Sequence, residues 1–157
     1  LVRAFTAGLA AAVRRPDAFR PWQHVLEPLS GYLILAERLV DDGPEYAEGW
    51  NFGPEESDAR EVGWLADRVC KLWGEGARCE AERRVHHHPH EATFLKLDCS
   101  KARARLGWRP RWRLERAFEE TVDWYRAFYA GSDVRALSVG QIAAYSTQTG
   151  PRGEHQQ

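Results

Sequence analysis

From His24 to Gly43 the chain places apolar residues at helical spacing and on nearly every side of the resulting helix. Leu26, Leu29, Leu33, Ala36 and Val40 form one stripe, and Tyr32, Ile34 and Leu35 widen it well beyond an ordinary amphipathic face. Such a helix needs cover on several sides, so the pattern predicts that it is deeply packed. Pro28 falls in the first turn, where its missing N–H is harmless, and Gly43-Pro44 ends the segment. Any fold for this chain has to be built around that requirement.

The rest of the chain supplies two further strong helices and little sheet. "SDAREVGWLADRVCKLWG" opens on Asp58 and Glu61, the spacing of a capping box, and carries Val62, Leu65, Ala66, Val69, Leu72 and Trp73 on one stripe up to Gly74. Residues 114–130 carry Leu114, Ala117, Phe118, Thr121, Val122, Tyr125, Phe128 and Tyr129 on another. "CSKARARLGWRP" reads as a short helix with Asp98 or Ser100 near its cap and Gly107 as its left-handed terminator. A short helix over residues 1–8, an extended run before Pro16, a non-helical "DAFRPW", a strand at "EGWNFGP" and a short strand at "ARCEAE" complete the reading, with "TFLKL" extended and "HHHPHEA" a loop. Strands are too few for a complete sheet, so the chain reads as a lobe that needs a neighbour.

Length and charge narrow the function classes. The 157 residues fit one domain, 43% are hydrophobic, 29% are charged, and the charges nearly cancel to a formal −1. Charge therefore suggests neither nucleic acid nor a membrane surface as partner. The longest apolar run, "GYLILA", is too short to cross a bilayer, and a soluble, cytoplasmic protein is expected. Cys70, Cys79 and Cys99 form no C-x-x-C pair and leave an odd one, which argues against a disulfide framework or a thiolate zinc site. A chain that opens on "LVRAFTAG" and lacks Met reads as a piece whose beginning has been cut away.

Three groups of residues carry candidate chemistry. Arg20, Trp22, Gln23 and His24 crowd just ahead of the apolar helix. Arginine offers a fork of donors suited to a phosphate pair and tryptophan a flat face for a sugar or base; the alternative is an ion pair, a core ring and a helix-start residue. His86, His87, His88, His90 and Glu91 form a histidine-rich loop, but adjacent histidines without i, i+4 spacing make a poor pre-set metal site, so no zinc site is expected. Trp64, Trp73, Trp108, Trp112, Trp124 and Tyr125 are the third group; helical spacing assigns Trp73 and Tyr125 to the core, and Trp108 and Trp112 sit in a proline-containing loop that can cover its edge. No G-x-G-x-x-G, Walker loop, G-x-S-x-G or Y-x-x-x-K occurs. The chain carries no self-contained catalytic set.

The stretches "RPWQHVLEPLSGYLILAERL", "WNFGP", "HPHEATFLKLDCSKARARLGWRPRW" and "AFEETVDWYRAFY" resemble the carboxyl-terminal part of the CDP-glucose 4,6-dehydratase family, within the extended short-chain dehydrogenase/reductases. The resemblance covers roughly residues 1–145. It implies an α/β fold of which this chain is the carboxyl-terminal substrate-binding lobe, mostly helical with a few short strands, its Rossmann core missing; the polar, turn-rich composition after Ala144 separately predicts a disordered tail over 146–157. It also implies an NAD-dependent lyase reaction: oxidation at C4 of the sugar, loss of water across C5 and C6, and return of the hydride to C6. NAD would be bound by the missing amino-terminal half and none by this chain alone, which would be inactive by itself.

The same resemblance assigns Arg20 to the nucleotide diphosphate and Asn51 to a position near it, with Trp22, Gln23 and His24 in the same cluster. His90 and Glu91 are assigned to cytidine or ribose. The implied partners are CDP-glucose and the Rossmann half of the same enzyme, with a homo-oligomer left open. A non-catalytic helical module that binds a nucleotide sugar or a protein is the competing reading.

Overall fold

The computed structural model describes residues 1–74, 76–82 and 93–148. Their helices are α1 (Val2–Thr6), α2 (Leu26–Asp41), α3 (Val62–Trp73), α4 (Ser100–Leu106), α5 (Leu114–Tyr129) and α6 (Val134–Thr147). The strands are β1 (Ala11–Val13), β2 (Phe19–Arg20), β3 (Arg60–Glu61) and β4 (Cys79–Ala81). β1 runs parallel to β4 with Ala11 opposite Cys79, and β2 runs antiparallel to β3 with Arg20 opposite Arg60. The architecture is therefore mostly helical with a few short strands, as expected. Among the described residues no helix is long and apolar enough to cross a membrane.

Two cores hold these elements. In the first, Leu65 and Val69 of α3 meet Leu114, Phe118 and Val122 of α5, while Phe5 and Ala11 close one end. Each partner recurs at i, i+4, so one stripe of each helix does the packing, and each fully buried Leu, Val or Phe contributes about 1.5–3 kcal/mol. α3 stops at Gly74, whose φ of 97° is open to glycine alone at little cost. The second core joins α2 to α4 through Phe52, Cys99, Ala102, Leu106 and Trp108, with Ile34 and Leu35 of α2 partly buried against it. Gly107 adopts the left-handed conformation (φ 64°), which turns the chain so that Trp108 N–H reaches the Ala102 carbonyl at 3.2 Å.

α6 was not anticipated from the periodicity. It begins at Asp133, whose carboxylate accepts from the N–H groups of Arg135 (3.0 Å) and Ala136 (3.1 Å). It packs on α5 through Trp124 Nε1 donating to Ser138 Oγ (2.9 Å) and Gln141 Nε2 donating to the Glu120 carbonyl (2.8 Å).

The structure corrects several expectations. α2 is not deeply packed: Leu29 is 45% exposed, Tyr32 56%, Leu33 68% and Val40 84%. A stripe through Glu27, Ser30, Gly31, Ile34 and Leu35 meets other elements and the Tyr32 ring lies edge-on to Phe52, and the described residues leave much of the remaining apolar surface uncovered. Residues 48–54 form no strand; Asn51 Nδ2 donates to the Asp98 carbonyl (3.2 Å) and Gly53 N–H to Cys99 Sγ (3.1 Å), so this segment is tied to the approach to α4 instead of to a sheet. The capping box does not form, because the Asp58 carboxylate is taken by Arg113 Nη2 at 2.9 Å and α3 starts only after Glu61. Tyr125, Phe128 and Tyr129 are 39–50% exposed, whereas Trp108 and Trp112 are buried at 1% and 3%.

A methyl group at Gly31 would overlap the ring of Phe52. In an open helix, Gly to Ala stabilises by up to about 1 kcal/mol. Here Gly31→Ala is expected to destabilise by about 1–3 kcal/mol in urea unfolding, because overpacking outweighs helix propensity. A gain in stability would contradict the close α2–Phe52 contact.

Candidate functional site

β2 is short but gripped on both edges. On one, Val62 N–H donates to the Ala18 carbonyl (2.9 Å) as β3 begins α3; on the other, Phe19 N–H donates to the Thr93 carbonyl (2.8 Å) and its carbonyl accepts from Leu95 N–H (3.3 Å). The rings of Phe19 and Phe94 stack at 4.6 Å. Arg20 emerges from this clamp half-buried, its Nη1 donating to the Phe19 carbonyl at 2.8 Å. Pro21 follows and turns the chain.

Pro21 sits at the margin of a cleft of about 380 Å³ whose charged lining is Glu55, Glu56, Lys96, Asp98 and Arg103. Lys96 Nζ meets Glu56 at 2.6 Å and Arg103 Nη2 meets Glu55 at 2.9 Å. Arg103 Nε is buried with no hydrogen-bond partner among the described residues. Asp98 Oδ1 accepts from Ser100 N–H at 2.8 Å, and the Ser100 side chain first, then this backbone bond, hold the carboxyl below its usual range; the Lys96 ammonium does the same for Glu56. The lining thus mixes paired cations and anions with apolar side chains, among them Pro54, Ala59, Leu95 and Leu97.

The predicted cluster does not act as one surface. Trp22 packs against the first core. Gln23 Nε2 donates to the Phe52 carbonyl at 2.8 Å, which ties the segment after Arg20 to the residue after Asn51. His24 is 5% exposed, its Nδ1 accepts from Leu26 N–H at 3.3 Å, and its ring lies 4.8 Å from that of Trp112. Gln23 and His24 line a second, largely apolar cleft of about 540 Å³ with Trp124, Tyr125 and Ile142. Asn51 is exposed. His90 and Glu91, with the other loop histidines His86, His87 and His88, lie outside the described residues.

Glu27, which no motif singled out, lies three residues beyond His24 and is fully buried. Its carboxylate accepts from Arg111 N–H (3.0 Å), Trp112 N–H (2.7 Å) and the Tyr145 hydroxyl (2.6 Å). Ser30, one turn on, accepts from Trp108 Nε1 (2.9 Å) and lies 3.0 Å from the Tyr145 oxygen. Burial, reinforced by the Glu27 contact, pushes the Tyr145 hydroxyl pKa upward, so it serves as a proton donor. A glutamate in a helix's first turn normally reads as a surface charge facing the dipole, so the sequence held no signal for this role.

No family model matches the chain. Over 149 residues, 95% of this chain, it is 44% identical to a CDP-glucose 4,6-dehydratase of Salmonella typhimurium, covering 41% of that protein. Over 117 residues, 68% of this chain, it is 32% identical to a dTDP-glucose 4,6-dehydratase of Haemophilus influenzae, covering 32% of that protein. The chain is thus related over nearly its whole length to part of a sugar-nucleotide dehydratase, and it spans less than half the length of the curated relatives it matches.

Burial lowers the His24 pKa from 6.5, with Glu120 opposing. An unfolded chain then binds the proton that the folded one excludes. The stabilisation is full above about pH 6.5 and is lost as pH falls from there through the folded value. Urea unfolding between pH 8 and 5 should show His24→Asn losing less stability on acidification than the unsubstituted chain. Parallel curves would contradict the burial of a neutral imidazole.

Proposed function

We propose that this chain, a homologue of part of the CDP-glucose 4,6-dehydratases, is the substrate-binding portion of such an enzyme. It would convert CDP-glucose to CDP-4-dehydro-6-deoxyglucose and water, acting in the cytoplasm. The observation that carries the reading is the 44% identity over 95% of the chain. Arg20 and Asn51 bind the diphosphate: Arg20 leaves a strand clamped on both edges, and Gln23 holds the two segments together through the Phe52 carbonyl. The backbone that carries Arg20 is thereby positioned, and a guanidinium gives a phosphate a charge-assisted fork of donors. Trp22, Gln23 and His24 keep that segment in place from within, and His90 and Glu91 serve cytidine or ribose.

No described strand leads through a glycine-rich turn into a helix, so the described residues do not fit NAD. The reading assigns NAD and the redox and elimination steps to an amino-terminal Rossmann portion of the complete enzyme. The match to only 41% of the Salmonella protein and the uncovered apolar surface of α2 at Leu29, Tyr32, Leu33 and Val40 support that partner.

Calorimetric titration of the chain, alone and mixed with a separately produced Rossmann portion, tests the assignment. CDP-glucose should bind, Arg20→Ala should weaken binding roughly tenfold or more, and the 4-keto-6-deoxy product should form only in the mixture with NAD. Equal affinity for the Arg20→Ala chain would overturn the role of Arg20. Tight association of the two parts without CDP-glucose binding would favour a protein-interaction module.

A further inference from the structure

Cys70 in the last turn of α3 and Cys79 at the start of β4 belong to neither cleft, yet their Sγ atoms lie 2.8 Å apart. Both are free and half-buried. Cys79 Sγ also points toward the Ala66 carbonyl at 3.7 Å, one helical turn before Cys70, so the β4 thiol rests on α3. We propose that Cys70 and Cys79 form a redox-responsive dithiol site, closed to an intramolecular disulfide by a low-molecular-weight disulfide and reopened by the corresponding thiol.

Independent structure holds the two ends. Cys70 is fixed by the helix, and Cys79 by the parallel pairing that sets it opposite Ala11, where Ala11 N–H donates to the Arg78 carbonyl at 2.9 Å. The chain reverses between them at Gly74, φ 97°, and Gly76, φ 83°, with Ala77 N–H donating to the Gly74 carbonyl at 3.2 Å. A disulfide needs about 2.0 Å between sulfurs, so closure asks for only a small further approach of two sulfurs already in contact.

The exchange balances without any other reactant. The Cys70 thiolate attacks one sulfur of the small disulfide, that S–S bond breaks, and one thiol leaves with a proton. Cys79 then attacks Cys70 Sγ in the mixed disulfide and expels the second thiol, which carries off the second proton. Two protein thiols are oxidised and one small disulfide is reduced to two thiols. Burial first, then the Cys70 thiol, pushes the Cys79 pKa up to about 12, so thiolate is scarcer there than in a free thiol. The second step is intramolecular, and proximity offsets the scarcity of thiolate. Cys99 is the internal control: it is buried in the other core, where its Sγ accepts from Gly53 N–H at 3.1 Å.

The full chain, equilibrated with mixtures of oxidised and reduced glutathione, quenched with N-ethylmaleimide and weighed by mass spectrometry, reads the outcome. Of the three cysteines, one should remain alkylatable under oxidising ratios, with a Cys70–Cys79 peptide pair on digestion. Closure should accelerate as pH rises from 7 to 9, and the melting temperature should rise by roughly 5–10 °C. Cys99→Ser should leave closure unchanged, whereas Cys70→Ser and Cys79→Ser should each abolish both the pair and the thermal shift. Three alkylated cysteines at every ratio, a reaction that stops at glutathionylated Cys70, or a pair containing Cys99 would overturn the proposal; the mass readout on the unsubstituted chain decides this even if a variant folds poorly.

Discussion

The carboxylate of Glu27 is the joint on which the two cores meet. It is fully buried, and its hydrogen bonds come from two backbone N–H groups and one phenol, at 2.6–3.0 Å, not from a salt bridge among the described residues. A carboxylate stripped of water is costly unless its oxygens are satisfied; three short donor bonds meet that condition, and the low local dielectric strengthens each. The donors come from residues 84, 85 and 118 positions away in sequence, so one side chain fixes the loop before α5 and the end of α6 against the start of α2. Ser30 extends the joint to Trp108, a central ring of the second core, while Leu114, two residues past Trp112, begins the stripe of the first.

This joint also bears on the proposed ligand clamp. Arg20 is separated from Glu27 by six residues, and two of the polar side chains between them are engaged internally: Gln23 on Phe52, His24 on Leu26 and Trp112. β2 is held between β3 and Phe94 at one end, and the helix start is held by Glu27 at the other. The backbone that carries Arg20 thus lies between two fixed points, which narrows the region its guanidinium can reach. The cluster that reads in sequence as one polar platform is therefore a division of labour, with Arg20 near the polar cleft and its neighbours turned inward.

Periodicity made α3, α4 and α5 legible, because each buries one stripe and ends on a glycine or a change of composition. It misjudged α2 for a physical reason: an all-round apolar pattern records that cover is needed, not which element provides it, and most of that cover is absent among the described residues. α6 escaped because its apolar residues are distributed round the helix instead of forming one stripe, although Asp133 three residues before Ala136 was a readable cap. "WNFGP" reads as a strand by composition, but a strand forms only when a neighbour pairs with it, and its hydrogen bonds go to Asp98 and Cys99. Glu27 was invisible because its partners are remote in sequence, as was the meeting of Cys70 with Cys79 across a turn that only coordinates reveal.

A double-mutant cycle on Glu27→Gln and Tyr145→Phe, read by urea unfolding, tests the joint directly. Glu27→Gln should cost about 2–4 kcal/mol, since an amide nitrogen replaces an acceptor facing buried donors, and Tyr145→Phe about 1–2 kcal/mol. The pair should couple by at least about 1 kcal/mol. Losses that simply add within about 0.5 kcal/mol, with Glu27→Gln itself nearly neutral, would contradict the claim that this carboxylate unites the two cores.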